Sequence, residues 1–174
     1  MLSGEESDVM EIAKDTNMLL FRFRSYGKNN FIESHKQILE DKKYVWMLKL
    51  GKRTSTEKLR NILDEGGWVV LRAPKSEGSK SFVARYVAFS EEEPEDMGYP
   101  DYYQEIIDDD ESEYFEGNAI SQWFKLDLIT EIDEATAEEL VMAKSEKKVN
   151  EVIGSTRTAV MFVRNTKEIE ITEV

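Results

Sequence analysis

Side chains that could support catalysis are few in this sequence. His35 is the only histidine and there is no cysteine, which excludes a thiolate nucleophile, a thiolate zinc site and a histidine-rich metal site. His35 falls on or near the apolar side of a predicted helix, where packing accounts for it. Ser155 lacks the flanking glycines of a nucleophile elbow, and no histidine lies nearby in the sequence to act as its base. We therefore expect a protein without a catalytic site or a cofactor.

Three other segments resemble ligand sites but lack part of the motif. The run Asp108–Glu111 suggests a divalent-metal site, but consecutive carboxylates on a flexible loop do not converge on one ion, and the EF-hand pattern is missing. Gly51-Lys52-Arg53-Thr54 and Gly78-Ser79-Lys80-Ser81 both lack the first glycine of a phosphate-binding loop. We expect the acidic run to be solvated and neither glycine segment to bind a nucleotide in that way.

The charge of the chain is divided by position. Residues 16–90 contain 15 Lys and Arg against 7 Asp and Glu, a net charge of +8, whereas residues 91–118 contain 13 acidic residues and no basic one. A surface acts through its local field, so the overall charge of −13 hides a basic block. This block favours an anionic partner, and the acidic segment either keeps the protein soluble or competes for the same surface.

The whole chain has the properties of a globular domain. Its 174 residues are 40% hydrophobic, enough for one domain with a core. No apolar run reaches the ~18 residues that span a bilayer, and the acidic N-terminus lacks the features of a secretory signal. Together with the absence of cysteine, this pattern predicts a cytoplasmic protein.

Runs of strand length predict a sheet. The segment 18–26 alternates and is expected to form a half-exposed strand, and residues 168–174 could add an edge strand. Five further runs are expected to share one curved, partly closed sheet: Tyr44–Leu50, Trp68–Ala73, Ser81–Phe89, Gln122–Ile132 and Thr158–Arg164.

Capping residues and apolar spacing predict helices between these strands. They are Phe31–Lys42 capped by Asn29 or Asn30, a short helix from the Thr54 or Ser55 cap to Gly66-Gly67, and Ala135–Lys144. We divide the chain into an acidic tail (1–16), a strand-helix extension packed on the core (17–42) and a main domain (43–174). The main domain includes a long acidic loop at 91–118.

The order of these segments resembles an EVE domain, a member of the PUA-like superfamily that also includes YTH and ASCH domains. The resemblance covers about 43–166 and is strongest in Tyr44-Val45-Trp46-Met47-Leu48-Lys49 and in the closing Ser155-Thr156-Arg157-Thr158-Ala159-Val160-Met161-Phe162-Val163. The sequence departs from the family in two places. Leu50-Gly51-Lys52 replaces the usual acidic-Pro turn, and a Trp/Arg/Asn segment after the first helix is missing.

The resemblance implies an α+β fold with a strongly bent sheet or partly closed barrel and peripheral helices. It also implies a non-catalytic module that binds DNA or RNA, often through a modified base in an aromatic-lined pocket. A flipped base needs an aromatic face, and phosphates need nearby cations. The candidate ligand-binding residues are Trp46, Lys49, Trp68, Arg72, Tyr102, Tyr103, Trp123, Ser155 and Arg157.

Alternatives stay open for these residues and for the function. The tryptophans also fit the core, and Arg157 could simply cover neighbouring surface with its stem. If the pocket exists, Lys49, Trp123 and Arg157 should approach one concavity, with Tyr102 or Tyr103 at its rim. The other function is a protein-interaction module that docks through the basic face or the acidic loop.

Overall fold

The computed structural model describes residues 9–23, 25, 28–111, 120–156 and 158–172. Seven strands hydrogen-bond in the order β3-β6-β5-β4-β2-β8-β7, and β1 pairs with β9 in a separate two-stranded sheet. The α+β class is therefore confirmed, and the five predicted core strands do belong to one sheet. Among the described residues β3 and β7 end this order, so the partly closed barrel stays a prediction.

Strands and short helices are interspersed along the chain. The strands are β1 Val9–Ile12, β2 Asn17–Arg22, β3 Val45–Leu50, β4 Trp68–Arg72, β5 Ser81–Ser90, β6 Ile120–Ile132, β7 Leu140–Met142, β8 Val160–Asn165 and β9 Ile169–Thr172. The α-helices are α1 Phe31–Lys42, α2 Thr56–Asp64, α3 Tyr103–Glu111, α4 Glu134–Glu138 and α5 Val149–Val152. No helix of the described chain is long and apolar enough to cross a membrane.

The chain forms two compact units, each assembled from separated segments. The first contains residues 1–23, 68–84 and 130–174, and the second contains 24–67 and 85–129. Consequently β2, from the predicted strand-helix extension, belongs to the first unit, while α1 belongs to the second.

In the first unit, β2 is an interior strand. It pairs in parallel with β4 and antiparallel with β8. Neighbours on both edges and cover on both faces bury Met18, Leu19 and Leu20 almost completely. The expectation that this strand is half-exposed was therefore wrong.

Two other assignments in the first unit also differ from the prediction. Asp133 caps only the short α4, after which Leu140–Met142 extends as β7 and pairs with β8, so the predicted helix Ala135–Lys144 was wrong in its second half. Pairing with the edge of β8 outweighs the helical spacing of the segment. The edge strand at 168–174 exists as β9, but its partner is β1, within the predicted tail.

In the second unit, both predicted helix caps are present. The Asn30 side chain accepts a hydrogen bond from the backbone N–H of Glu33, and Ser55 accepts one from Lys58. Helix α2 buries Leu59 and Ile62, and Tyr86 of β5 donates its hydroxyl to the carbonyl of Leu59 at 2.5 Å.

The acidic segment was predicted as one loop over 91–118, of which 112–118 lie outside the described residues, and its described part is not a continuous loop. Residues Tyr103–Glu111 form α3, and Tyr99, Tyr103 and Ile107 are buried. The run Asp108–Glu111 thus lies on a helix rather than on a flexible loop. Buried aromatic residues between the charges explain the difference, because they give the segment an apolar side to pack.

Gly67 follows α2 at a position that tolerates no side chain. Its φ is +72°, and a Cβ there would lie 2.2 Å from the carbonyl oxygen of Tyr86, which is backbone and cannot swing away. The same turn is fixed by a hydrogen bond of 2.8 Å from the N–H of Tyr86 to the carbonyl of Gly67.

We expect Gly67→Ala to lower the free energy of unfolding by about 2–4 kcal/mol, because it combines left-handed backbone strain with a steric clash. Gly154→Ala is the matched control, since apart from its chain neighbours no atom of the described residues lies within 4 Å of a Cβ at Gly154. Urea unfolding followed by circular dichroism measures both. Equal effects of the two substitutions would contradict this account of the turn.

Candidate functional site

The register of β3 and β6 decides which candidate residues share a face. Leu48 lies opposite Trp123, and Lys49 lies opposite Gln122. Because successive side chains of a strand point to opposite faces, Trp123 and Lys49 lie on different faces of this strand pair. The structure therefore does not bring Lys49 and Trp123 into one concavity.

One face of the pair carries an aromatic cluster, formed by Leu48, Tyr99, Tyr103, Ile107 and Trp123. Trp123 is only 1% exposed and Tyr103 only 2%. The ring centroids of Tyr99 and Tyr103 lie 5.4 and 6.0 Å from that of Trp123, at distances typical of packed aromatic pairs. The rings of Trp123 and Tyr103 therefore pack against other side chains inside the protein and are not exposed for a base to stack on.

Trp46 and Tyr102 lie at the border of the aromatic cluster and are only partly buried. They are the two predicted stacking residues of this unit that keep some exposure. The sequence pattern could not separate them from Trp123, because all three are aromatic residues whose burial depends on neighbours that are distant in the sequence.

His35 is held inside the protein by two hydrogen bonds. Its Nδ1 lies 2.7 Å from the carbonyl oxygen of Phe31, which can only accept, so Nδ1 carries the proton. Nε2 must then accept from the hydroxyl of Tyr103, whose oxygen in turn receives the N–H of Leu48 at 3.4 Å. The packing role expected for His35 agrees with this geometry.

Burial also sets the pKa of both groups. Desolvation lowers the pKa of His35 to about 4, opposed by its hydrogen bond to Phe31. Desolvation, together with Tyr102, raises the pKa of Tyr103 well above its usual value. Both side chains are therefore neutral at physiological pH.

Beside the aromatic cluster lies a second, more exposed group, the Tyr44–Trp46–Lys125 surface. The Lys125 ammonium is 4.4 Å from the ring centroid of Tyr44 and 5.9 Å from that of Trp46. Tyr44 donates its hydroxyl to a carboxylate oxygen of Asp96 at 2.9 Å. Neither Tyr44 nor Lys125 was singled out from the sequence, because their proximity arises from strand register.

The residues of this surface lower the pKa of the Asp96 carboxylate. Desolvation is the largest single effect and raises its pKa, but hydrogen bonds from Tyr44 and the Gly98 N–H, and the charge of Lys125, together lower it. The indole N–H of Trp46 also favours the ionised form without reaching hydrogen-bond geometry, and this nitrogen is buried. The surface thus combines two aromatic faces, a cation and an anion.

Lys49 occupies the opposite face, under the loop 51–55. It is 4% exposed, its ammonium donates to the carbonyl of Lys52, and burial lowers its pKa. The side-chain amide of Gln122 fastens this loop, accepting from the N–H of Thr54 at 2.8 Å and donating to its carbonyl at 2.7 Å. Lys49 therefore supports a loop rather than facing solvent.

The remaining candidates belong to the first unit. Trp68 is 6% exposed and packs in the core. Arg72 is partly exposed and donates to the side-chain oxygen of Asn150 at 3.0 Å. Ser155 is exposed and donates its hydroxyl to the carbonyl of Val152. Arg157 lies outside the described residues.

Arg22, in the alternating segment 18–26, joins Arg72 in this unit. Arg22 and Arg72 are paired in the register of the parallel strands β2 and β4. The alternation of Leu20 and Arg22 gave no signal for this, since the partner strand lies about 50 residues away.

No family model, curated protein or solved structure matches this chain. In the part of the chain that is described, no three His, Asp or Glu side chains are grouped so that they could hold a metal ion. The EVE-domain resemblance stays a prediction.

We expect the single histidine to titrate far below the normal value. The folded pKa of about 4 lies below the unfolded value of 6.5, so this group's contribution to stability is present above pH 6.5 and is lost as pH falls towards 4. The full loss is about 3 kcal/mol. The one imidazole signal in an NMR titration measures this pKa without ambiguity, and a midpoint near 6.5 would contradict the burial of His35.

Proposed function

We propose that this protein is a non-catalytic module that binds single-stranded nucleic acid, or a modified base exposed in it, through the Tyr44–Trp46–Lys125 surface. We also propose an EVE-type, PUA-like bent sheet as its fold and the cytoplasm as its location. The observation that carries the function is the Lys125 ammonium, which lies within 6 Å of the centroids of two aromatic rings.

The chemistry of this surface suits an unpaired nucleotide. A base that stacks on an aromatic side chain contributes about 1–3 kcal/mol, and a nearby lysine can attract the adjoining phosphate. The indole nitrogen of Trp46 is buried and its N–H favours the ionised Asp96, so a base would contact the exposed part of the ring and not this nitrogen. Tyr102 adds a further partly exposed ring at the border of the cluster.

Trp46 and Lys125 should contribute to nucleic-acid binding in different ways. Trp46→Ala should weaken binding of a short unpaired oligonucleotide about tenfold, because it removes a stacking face. Lys125→Gln should reduce the dependence of log K on log salt by about one unit, because one phosphate contact is lost. Fluorescence anisotropy over a salt series measures both effects.

Matched controls are available on the surface. Lys167→Gln removes one positive charge from an exposed lysine, and Val87→Ala shortens an exposed apolar side chain. Neither control should change binding by more than about twofold. Equal losses in Lys125→Gln and Lys167→Gln would show that only overall charge matters, and this would defeat the proposed site.

A protein-interaction module is the second candidate, favoured by the exposed carboxylates of the acidic segment. Glu91, Glu92, Glu93, Glu95 and Asp96 are all exposed, and they could dock a basic partner. Competition separates the two functions, because free nucleosides should displace an oligonucleotide from the Tyr44–Trp46–Lys125 surface but should not displace a basic peptide from the carboxylates.

The acidic segment should also weaken binding to polyanions. Glu91 forms an ion pair of 2.7 Å with Arg53, and Asp96 lies close to Lys125. Glu91→Gln should therefore tighten oligonucleotide binding at low salt and steepen its salt dependence, since Arg53 is released. Replacing the whole segment is not a clean test, because Tyr99 and Tyr103 belong to the core.

Glu92→Gln is the control for this prediction, because it makes the same change in net charge at an exposed neighbour whose carboxylate forms no ion pair with the described residues. Anisotropy at several salt concentrations distinguishes the variants. If Glu91→Gln and Glu92→Gln behave alike, the Glu91–Arg53 contact does not regulate binding.

A further inference from the structure

Two arginines stand side by side at the ends of parallel strands in the first unit. Arg22 is the last residue of β2, Arg72 is the last residue of β4, and the two are paired in register. Backbone hydrogen bonds fix them on both sides, from the N–H of Arg22 to the carbonyl of Ala159 at 2.8 Å and from the N–H of Phe23 to that of Arg72 at 3.1 Å. Neighbouring strands are about 4.8 Å apart, so both side chains leave the same face close together.

This arrangement is unfavourable without a negative partner. Like charges directly opposite each other on neighbouring strands are destabilising. Desolvation lowers the pKa of Arg72, the positive charge of Arg22 lowers it further, and Glu134 acts in the opposite direction. No carboxylate oxygen of the described residues lies within 4.0 Å of a nitrogen of either guanidinium.

Neutral groups hold the two guanidiniums in position. Arg22 donates from one terminal nitrogen to the carbonyl of Thr156 at 2.6 Å, and Arg72 donates to the side-chain oxygen of Asn150 at 3.0 Å. Each guanidinium has five N–H donors, so within the described residues each keeps further donors for another acceptor. By contrast, Arg85 and Arg164 of this chain are paired with carboxylates.

The segment that accepts the hydrogen bond from Arg22 also carries hydroxyl groups. The residue that holds Arg22, Thr156, has its hydroxyl 2.9 Å from that of Thr158, and one proton suffices for this contact. The second hydroxyl proton is then available to an acceptor. Ser155, the neighbour of Thr156, is exposed.

We propose that Arg22 and Arg72 together bind a phosphate group, as free phosphate, in a nucleotide or in a nucleic-acid backbone. Two fixed guanidinium forks match the several oxygens of a phosphate, and its negative charge removes the repulsion between them. The site lies within the first unit and is independent of the Tyr44–Trp46–Lys125 surface.

The test compares the full-length protein with Arg22→Gln, Arg72→Gln and the control Arg164→Gln. The probes are inorganic phosphate, adenosine monophosphate and an unpaired thymidine decanucleotide, titrated by calorimetry. Each site variant should bind the probes at least about tenfold more weakly, because charge-assisted hydrogen bonds are lost. The control should change affinity less than about twofold, since Arg164 is already paired with Asp15 and Glu146.

Thermal unfolding detects phosphate binding even if the affinity is too low for calorimetry. Phosphate should raise the Tm of the natural chain more than chloride at the same ionic strength, and this excess should vanish in both site variants. Without phosphate, each site variant should differ little in Tm from the natural chain, because relief of the repulsion offsets the loss of the hydrogen bond to Thr156 or Asn150. Arg72→Lys keeps the positive charge but loses the planar guanidinium. Its affinity for phosphate should therefore fall between that of the natural chain and that of Arg72→Gln.

The arms of the experiment identify the source of the phosphate. If phosphate and the mononucleotide bind in an arginine-dependent way but the decanucleotide does not, the ligand is a small molecule. If the decanucleotide also binds in an arginine-dependent way, the ligand is a nucleic-acid backbone. Identical Tm shifts in phosphate and chloride, or equal affinity losses in Arg164→Gln, would overturn the proposal. Trp46→Ala should leave the phosphate response intact, so failure of the proposed function and failure of this site are distinguishable.

Discussion

The alternation of side chains along paired strands is the constraint on which both candidate sites depend. Because the period is two, the register of a strand pair decides which residues share a face. In β3 and β6 it places Trp46 opposite Lys125 and sends Lys49 to the other face. In β2 and β4 it places Arg22 beside Arg72. A shift of one residue in the register of either strand pair would separate the side chains of the corresponding candidate site.

Buried polar side chains hold the connections between these strands. Gln122 fastens the loop 51–55 through both backbone groups of Thr54. In the other unit, Asn165 accepts from the N–H of Thr16 at 2.9 Å and donates to the carbonyls of Ala13 and Lys167, each at 2.8 Å. A buried amide without partners would cost about 1–3 kcal/mol, so these residues stabilise one loop conformation over others.

The two candidate sites differ in how their charges are compensated. Lys125 is surrounded by aromatic rings and lies near Asp96, whereas Arg22 and Arg72 are oriented by neutral oxygens. The first arrangement is already balanced, so a ligand must replace existing contacts. Within the described residues, the second leaves unused donors and a repulsion between like charges, which an anion such as the proposed phosphate would remove.

Local signals determined much of the secondary structure. The helix caps at Asn30 and Ser55 depend on residues no more than three positions away, and the core strands are marked by their own runs of apolar residues. Both could therefore be predicted from the sequence. The EVE-domain resemblance and the function it implies are not tested by these elements. Among the candidate site residues, the sequence could not tell Trp46, which is partly exposed, from the buried Trp123.

Only the tertiary structure decided the features that depend on distant partners. Leu140–Met142 becomes a strand because β8 offers an unpaired edge, although its apolar spacing is also helical. Tyr103–Glu111 becomes a helix because Tyr103 and Ile107 can pack in a core that Leu48 and Trp123 provide. Arg22 meets Arg72 because β2 and β4 run in parallel. Sequence by itself determined what each segment could form, and long-range pairing selected among those options, because its free energy exceeds the small differences in local propensity.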